Sequence, residues 1–261
     1  MAPDTLSLQG KVAIVTGSGR ENGIGAGIAR ALARNGASVT INYVSDSVTP
    51  RAKKLVEELK ALGGNAIAVQ ADVSHPDSCK KIVDETLQAF NTKSIDILIN
   101  NANGKTDFMP LQATEEQLQA AFSVNVFGTI FMMQAVIDYM PRGGRIINTS
   151  SVAVKLGLEF FPLYVASKAA SDALAFSLAS ELGKNRGITI NIIAPGPVTT
   201  DMFPKIPQIE PLRSHLVGLT RAESREGTPD DIADAVLLLC SEKSRWITGQ
   251  FISVSGGITG N

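Results

Sequence analysis

The sequence predicts a single α/β domain: one doubly wound parallel sheet of about seven strands, with helices on both faces. Three observations carry this expectation. Short apolar runs alternate with longer amphipathic stretches along the whole chain, the pattern of parallel strands covered on both sides by helices. A glycine-rich turn joins the first apolar run to the first amphipathic stretch, the place where an open α/β sheet receives ligands. A length of 261 residues suits one undivided domain of this class, and no linker, internal repeat or low-complexity tract divides it.

Lys11 to Thr16 reads as the first strand, and Ile24 to Asn35 has helical spacing that ends at Gly36. Ser38 to Tyr43 is the second strand. Thr49-Pro50 then opens a charged amphipathic helix that stops at Gly63-Gly64. Ala66 to Gln70 is the third strand, Asp77 to Phe90 a helix, and Ile95 to Asn100 the fourth strand. A long helix from Thr114 to about Tyr139 precedes the fifth strand, Arg145 to Thr149. A loop through Gly157 and Pro162 leads to a helix after Phe161. Strand Thr189 to Ala194, an irregular stretch, helix Pro229 to Leu239 and strand Phe251 to Val254 complete the chain.

Candidate chemistry concentrates between Arg145 and Leu174. Tyr164 and Lys168 are i and i+4 on one helix face, and Ser151 lies just past the fifth strand. A free tyrosine has a pKa of about 10, too high for efficient proton transfer near neutral pH. An ammonium one helical turn away favours the phenolate and pulls that value down. A serine hydroxyl can hold a carbonyl oxygen as charge develops on it. Together these groups can protonate a carbonyl while a hydride arrives from elsewhere. A Tyr-x-x-x-Lys pair is a weak motif alone; Ser151, thirteen residues before Tyr164, and the glycine-rich turn upstream strengthen it.

This block resembles the short-chain dehydrogenase/reductase family, whose catalytic Ser, Tyr and Lys sit at this spacing. The pattern is most similar to fungal-type NADPH-dependent carbonyl and hydroxynaphthalene reductases and to 3-oxoacyl reductases. The first turn reads Thr16-Gly17-Ser18-Gly19-Arg20-Glu21-Asn22-Gly23-Ile24-Gly25. Five residues separate Gly17 from Gly23 where the family pattern, Thr-Gly-x-x-x-Gly-x-Gly, has three. The resemblance implies a Rossmann-type sheet and cofactor contacts from Gly17, Arg20, Gly23, Ile24 and Gly25. It adds Asp72 and Val73 beside the adenine, Asn101 and Ala102 after the fourth strand, and Pro195, Gly196, Val198 and Thr200 beside the nicotinamide. Tyr164 and Lys168 would also touch the cofactor, and Asn125 would be a fourth catalytic residue that helps place a water near the lysine. Asn103 stands where the family has glycine, and asparagine tolerates left-handed backbone well. Asn103, Phe160, Pro197 and Phe203 are the expected substrate contacts.

The second strand ends in Tyr43, where an NAD-preferring site usually has a carboxylate on the ribose hydroxyls. Its absence permits a 2′-phosphate, which Arg20 and Ser45, with Ser47, would hold. Asp46 is the contrary sign and is expected in solvent. The expected cofactor is therefore NADP(H). Gly104-Lys105-Thr106 looks like the tail of a P-loop, but position 99 is Ile99 where that motif needs glycine.

The chain has 24 Lys+Arg against 25 Asp+Glu, a net charge of −1, which leaves no basic footprint for nucleic acid. Cys79 and Cys240 suit a reducing compartment and read as small core hydrophobes. No signal peptide is read, and Val124 to Met140 is interrupted by polar residues, so a buried helix is expected in place of a membrane span. His75 and His215 have no ligand-like neighbours, so no metal site is expected. The expectation is a cytoplasmic, oligomeric (dimer or tetramer) carbonyl reductase for a small-molecule ketone or secondary alcohol, with a substrate lid at about 199–226. A non-catalytic NADP(H)-binding module on the same fold is the alternative. Apolar residues in the lid and before Tyr164 fit a bulky apolar or aromatic substrate, and fit equally well a lid packed onto the body.

Overall fold

The computed structural model describes residues 5–104, 106, 109–158, 161–201, 207 and 209–260. The elements in chain order are β1 (Val12–Val15), α1 (Ile24–Arg34), β2 (Ser38–Tyr43), α2 (Thr49–Ala61), β3 (Ala66–Gln70), α3 (Pro76–Ala89) and β4 (Ile97–Asn100). There follow α4 (Glu115–Phe122), α5 (Thr129–Val136), β5 (Arg145–Thr149), α6 (Ala153–Leu156), α7 (Pro162–Glu181), β6 (Thr189–Pro195), α8 (Glu210–Gly218), α9 (Pro229–Cys240) and β7 (Phe251–Val254). The strands form one sheet in the order β3-β2-β1-β4-β5-β6-β7, and every pairing is parallel.

Period-two alternation in each strand feeds two cores. In β1, Ala13 and Val15 join the layer of Ile28, Leu32, Leu55 and Val236, which belong to α1, α2 and α9. Val12 and Ile14 face the opposite layer of Ile82, Met132, Val136 and Ala175, from α3, α5 and α7. Burial on both faces is why the strands read as continuous apolar runs. Helices α1 and α9 pack so closely that a Cβ on Gly27 would lie 2.8 Å from the Pro229 side chain. Strand order reverses between β1 and β4, which opens the ligand crevice at their carboxyl ends.

Three local differences from the sequence expectation bear on the site. The long helix before β5 is not uniform: α4 passes through a π-helical turn, Ser123–Gly128, into α5, and a 3-10 turn Ile137–Tyr139 closes it. Wider turns of this kind have no distinct apolar period and are frequent at functional sites. The loop after Ser151 contains the short helix α6, ended by left-handed Gly157. The irregular stretch after β6 contains α8, anchored by buried Arg213, which pairs with Glu226 at 2.8 Å. The run Glu115–Tyr139 is long and apolar enough to cross a membrane. It lies on the body instead, with Met132 and Val136 fully buried while Phe127 is 47% exposed, so only one face is buried as expected.

Candidate active site

Helix α7 and the end of β5 bring the chemistry together. Lys168 is 5% exposed and donates from Nζ to the Thr149 carbonyl at 2.8 Å. Its ammonium lies 5.8 Å from the centroid of the Tyr164 ring. The Tyr164 hydroxyl is hydrogen-bonded with Ser151, whose Oγ also accepts from the Ala153 backbone N–H at 3.1 Å. The three residues singled out in the sequence therefore converge at the carboxyl end of β5.

The electrostatics differ from the expectation for Tyr164. Burial raises its pKa, with the Ser151 hydrogen bond opposing and the Asp172 charge adding to the rise. Desolvation of the phenolate is the largest cause, and the Lys168 N–H is directed at Thr149. Lys168 is pushed down to about 8 by burial, with Asp172 opposing. Asp172 is pushed up to about 6, again by burial, with Ser150, Lys168 and Lys155 opposing. The sequence reading did not single out Asp172 or Ser150. Their signal was available: Asp172 lies at i+4 from Lys168 on the same stripe of α7.

Asn125 sits in the π-helical turn and is fully buried. Its Oδ1 accepts from the Gly104 backbone N–H at 2.9 Å, and its Nδ2 donates to Ser167 Oγ at 2.8 Å. Ser167 in turn donates to the Tyr164 carbonyl at 2.8 Å. Asn125 therefore ties the loop after β4 to the helix that carries Tyr164 and Lys168.

The glycine-rich turn and the strand ends build the second half of the crevice. Gly17 has φ +61°, and a Cβ there would lie 2.6 Å from Ala102 Cα. Only glycine meets both conditions. A Cβ on Gly25 would meet Asn101 Nδ2 at 2.6 Å. Gly23 precedes helix α1 as its N-cap residue, with no side-chain cap and no acidic residue in the first turn. Those first N–H groups, the dipole end of α1 and the Cβ-free approach at Gly17 fit a pyrophosphate. Ile24 is the first residue of that turn. Two residues missed in the sequence hold this wall: Thr16 Oγ1 accepts from the N–H groups of Asn101 and Ala102, both at 3.0 Å. Asn42 Oδ1 accepts from the Gly17 N–H at 3.2 Å.

The two extra residues of the turn are firmly engaged. The Glu21 carbonyl accepts from Arg30 at 2.8 Å, and its carboxylate pairs with Arg51. Arg51 also pairs with Asp201, which lies 3.5 Å from Asn22 Nδ2. At the end of β2, Tyr43 is buried, and a Cβ on Gly19 would meet Tyr43 Cβ at 2.7 Å. Ser45 and Ser47 are exposed beside it, with their hydroxyls 2.7 Å apart, and Arg20 is exposed in the facing turn. Asp46 is exposed, as expected, and accepts from Gln70 at 2.6 Å.

Asp72 Oδ1 accepts from the N–H and hydroxyl of Ser74, and Val73 is buried against Gly128. Past β6, which ends at Pro195, a Cβ on Gly196 would meet Ser255 Cβ at 2.9 Å. The Pro197 carbonyl accepts from Gly227, and Val198 bridges to the same residue. Thr200 is half-buried. Asn103 is exposed and does not use a left-handed backbone: among the described residues other than glycine, only Asn91 has positive φ. Phe160 and Phe203 lie outside the described residues, as does Lys105.

Comparison with known proteins follows this geometry. A family model described as enoyl-(acyl carrier protein) reductase matches residues 17–259. The chain is 39% identical to versicolorin reductase 1 of Aspergillus parasiticus, over 97% of this chain and 98% of that protein. It is 36% identical to a hydroxynaphthalene reductase of Aspergillus fumigatus, over 95% and 92% respectively. A short-chain dehydrogenase from Burkholderia cenocepacia, solved in complex with NADP, superposes with a TM-score of 0.86 at 37% identity, covering 96% of this chain and 98% of that one. The full-length match, the strand order and the arrangement of Ser151, Tyr164 and Lys168 agree, and the chain belongs to the short-chain dehydrogenase/reductase family of oxidoreductases.

Proposed function

We propose that the protein is an NADPH-dependent carbonyl reductase that converts a bulky aromatic ketone to a secondary alcohol. The observation that carries the reading is the convergence of the Ser151 and Tyr164 hydroxyls and the Lys168 ammonium at the carboxyl end of β5, beside an uncapped helix N-terminus. NADPH, when bound, supplies the hydride. Ser151 holds the carbonyl oxygen, and Tyr164 gives that oxygen its proton as the carbon is reduced. Lys168 favours the tyrosinate left behind and binds the nicotinamide ribose. The ketone would gain that hydride at carbon and the Tyr164 proton at oxygen, and solvent would restore the proton to Tyr164. The same residues run the reverse oxidation.

NADPH over NADH rests on the absence of a carboxylate at Tyr43 and on Arg20, Ser45 and Ser47 around the strand end. Relatives named as versicolorin and hydroxynaphthalene reductases support an aromatic, polyketide-like ketone. The test follows NADPH absorbance with a panel of hydroxylated naphthalenones, anthraquinones and simple ketones. Aromatic ketones are expected to turn over fastest, and Tyr164→Phe to lose about 10²–10⁴-fold in turnover while still binding NADPH. Near-parent turnover in Tyr164→Phe would falsify the mechanism; tight NADPH binding with no turnover on any ketone would favour a binding module.

A further inference from the structure

Helix α7 meets the end of β5 at three successive residues. Tyr164 engages Ser151, Lys168 engages Thr149 and Asp172 engages Ser150. Residues 164, 168 and 172 are spaced at i, i+4 and i+8, one stripe of the helix. The third contact is a charged one: Asp172 Oδ2 accepts from Ser150 Oγ at 2.8 Å, while Oδ1 is buried with no hydrogen-bond partner.

A half-buried carboxylate with one oxygen buried and unmatched is costly for folding. Leucine or serine would hold α7 at lower cost, so packing alone does not account for a carboxylate. What Asp172 adds is a negative charge that acts on both Lys168 and Tyr164. Among the described residues, the ionisable groups around it are few. Lys168 and Tyr164 lie on α7 itself, and Lys155 faces it from α6. Strand β6 and the turn Ser123–Gly128 carry no ionisable side chain. Arg145 sits at the opposite end of β5 with Glu242, and Glu115 and Glu116 lie in the exposed first turn of α4.

We propose that Asp172 is a positioning residue for the reaction: anchored on Ser150, it supplies the negative charge that holds Lys168 cationic beside Tyr164. This rests on the role given to Lys168 above. Asp172 touches neither substrate nor cofactor; it acts through Lys168. The proposal has a pH dependence that a packing role lacks. Burial delays ionisation of Asp172 to about pH 6, so its charge is absent in acid and present near neutrality. Without that charge, Lys168 loses its proton at a lower pH than in the parent.

The experiment measures NADPH affinity by fluorescence and turnover from pH 5 to 9 in the parent and in Asp172→Asn, Asp172→Glu and Ser150→Ala. A shift of one unit in the Lys168 titration is a tenfold change in its charged fraction above that point. Asp172→Asn should match the parent near pH 5 and fall behind above pH 7, with NADPH affinity about 3–10-fold weaker at pH 8.5. Asp172→Glu should restore the upper limb. Ser150→Ala, which frees the carboxylate and keeps its charge, should lower turnover without that loss at high pH. Asp172→Ser, smaller and uncharged, carries the same test if the asparagine variant does not fold. Parallel pH profiles for the parent and Asp172→Asn, whatever their relative height, overturn the proposal. Affinity profiles that diverge as described, in a protein that reduces no ketone, would retain the Asp172–Lys168 coupling and overturn the reaction assigned above.

Discussion

One buried and one half-buried charge set the behaviour of individual residues at this site, and both oppose folding near neutral pH. Asp172 has its pKa raised to about 6, so the folded chain holds its proton more tightly than the unfolded chain; this benefit is full in acid and is lost as pH rises through about 6. Lys168 has its pKa lowered to about 8, so its benefit is full in alkali and is lost as pH falls through about 8. Between those values both groups are charged in a partly desolvated site. The double variant Lys168→Met/Asp172→Asn should therefore melt above the parent, with the largest gap between pH 6 and 8 and a narrowing gap toward pH 5 and pH 9.5. Thermal melts across this range check it, and a gap independent of pH would count against it. Ser151, Tyr164 and Lys168 were legible in the sequence because their chemistry is local and regularly spaced. Asp172 continues that spacing, but the contact that gives it meaning, with Ser150, lies 22 residues earlier and has no local pattern.

At the scale of elements, the proposed preference for NADPH rests on a strand end and the turn facing it. Tyr43 is buried against the Gly19 turn, so replacing it would disturb packing along with charge. Ser45 is exposed one turn on, and Ser45→Asp tests the charge alone. A carboxylate within about 4 Å of a 2′-phosphate costs roughly 1 kcal/mol or more, so NADPH affinity should fall about 5–30-fold while NADH affinity changes little. Equal losses for both cofactors in a binding titration would contradict the assignment of this strand end. Strands β2, β3, β5 and β7 matched the sequence reading to the residue, because apolar runs bounded by turn residues mark their own limits. Helices α6 and α8 and the π-helical turn at Asn125 escaped it. Short helices lack enough turns to show a period, and the π turn is held by the side-chain bonds of Asn125 to Gly104 and Ser167.

Across the whole molecule, unburied apolar surface marks where a second copy would sit. Met132 is fully buried, packed in the layer of Ile82 and Val136, and offers no such surface. Phe127 and Phe176 remain 47% and 70% exposed on the helical layer that contains α5 and α7, and Trp246 is 96% exposed before β7. We expect a dimer or tetramer built on these helices. Phe176→Glu should shift the mass measured by light scattering toward monomer, and a parent that is monomeric at micromolar concentration would contradict the expectation. The sequence by itself determined the sheet, its parallel pairing and the placing of Tyr164 and Lys168 on one stripe of α7, since these follow from periodicity and short-range spacing. Only the tertiary structure decided that Thr16 and Asn42 brace the glycine turn, that Arg51 joins Glu21 of that turn to Asp201, and that Ser150 anchors Asp172. Those contacts join residues far apart in the chain, and which polar group ends up buried beside which is set by how the layers close, not by any local pattern.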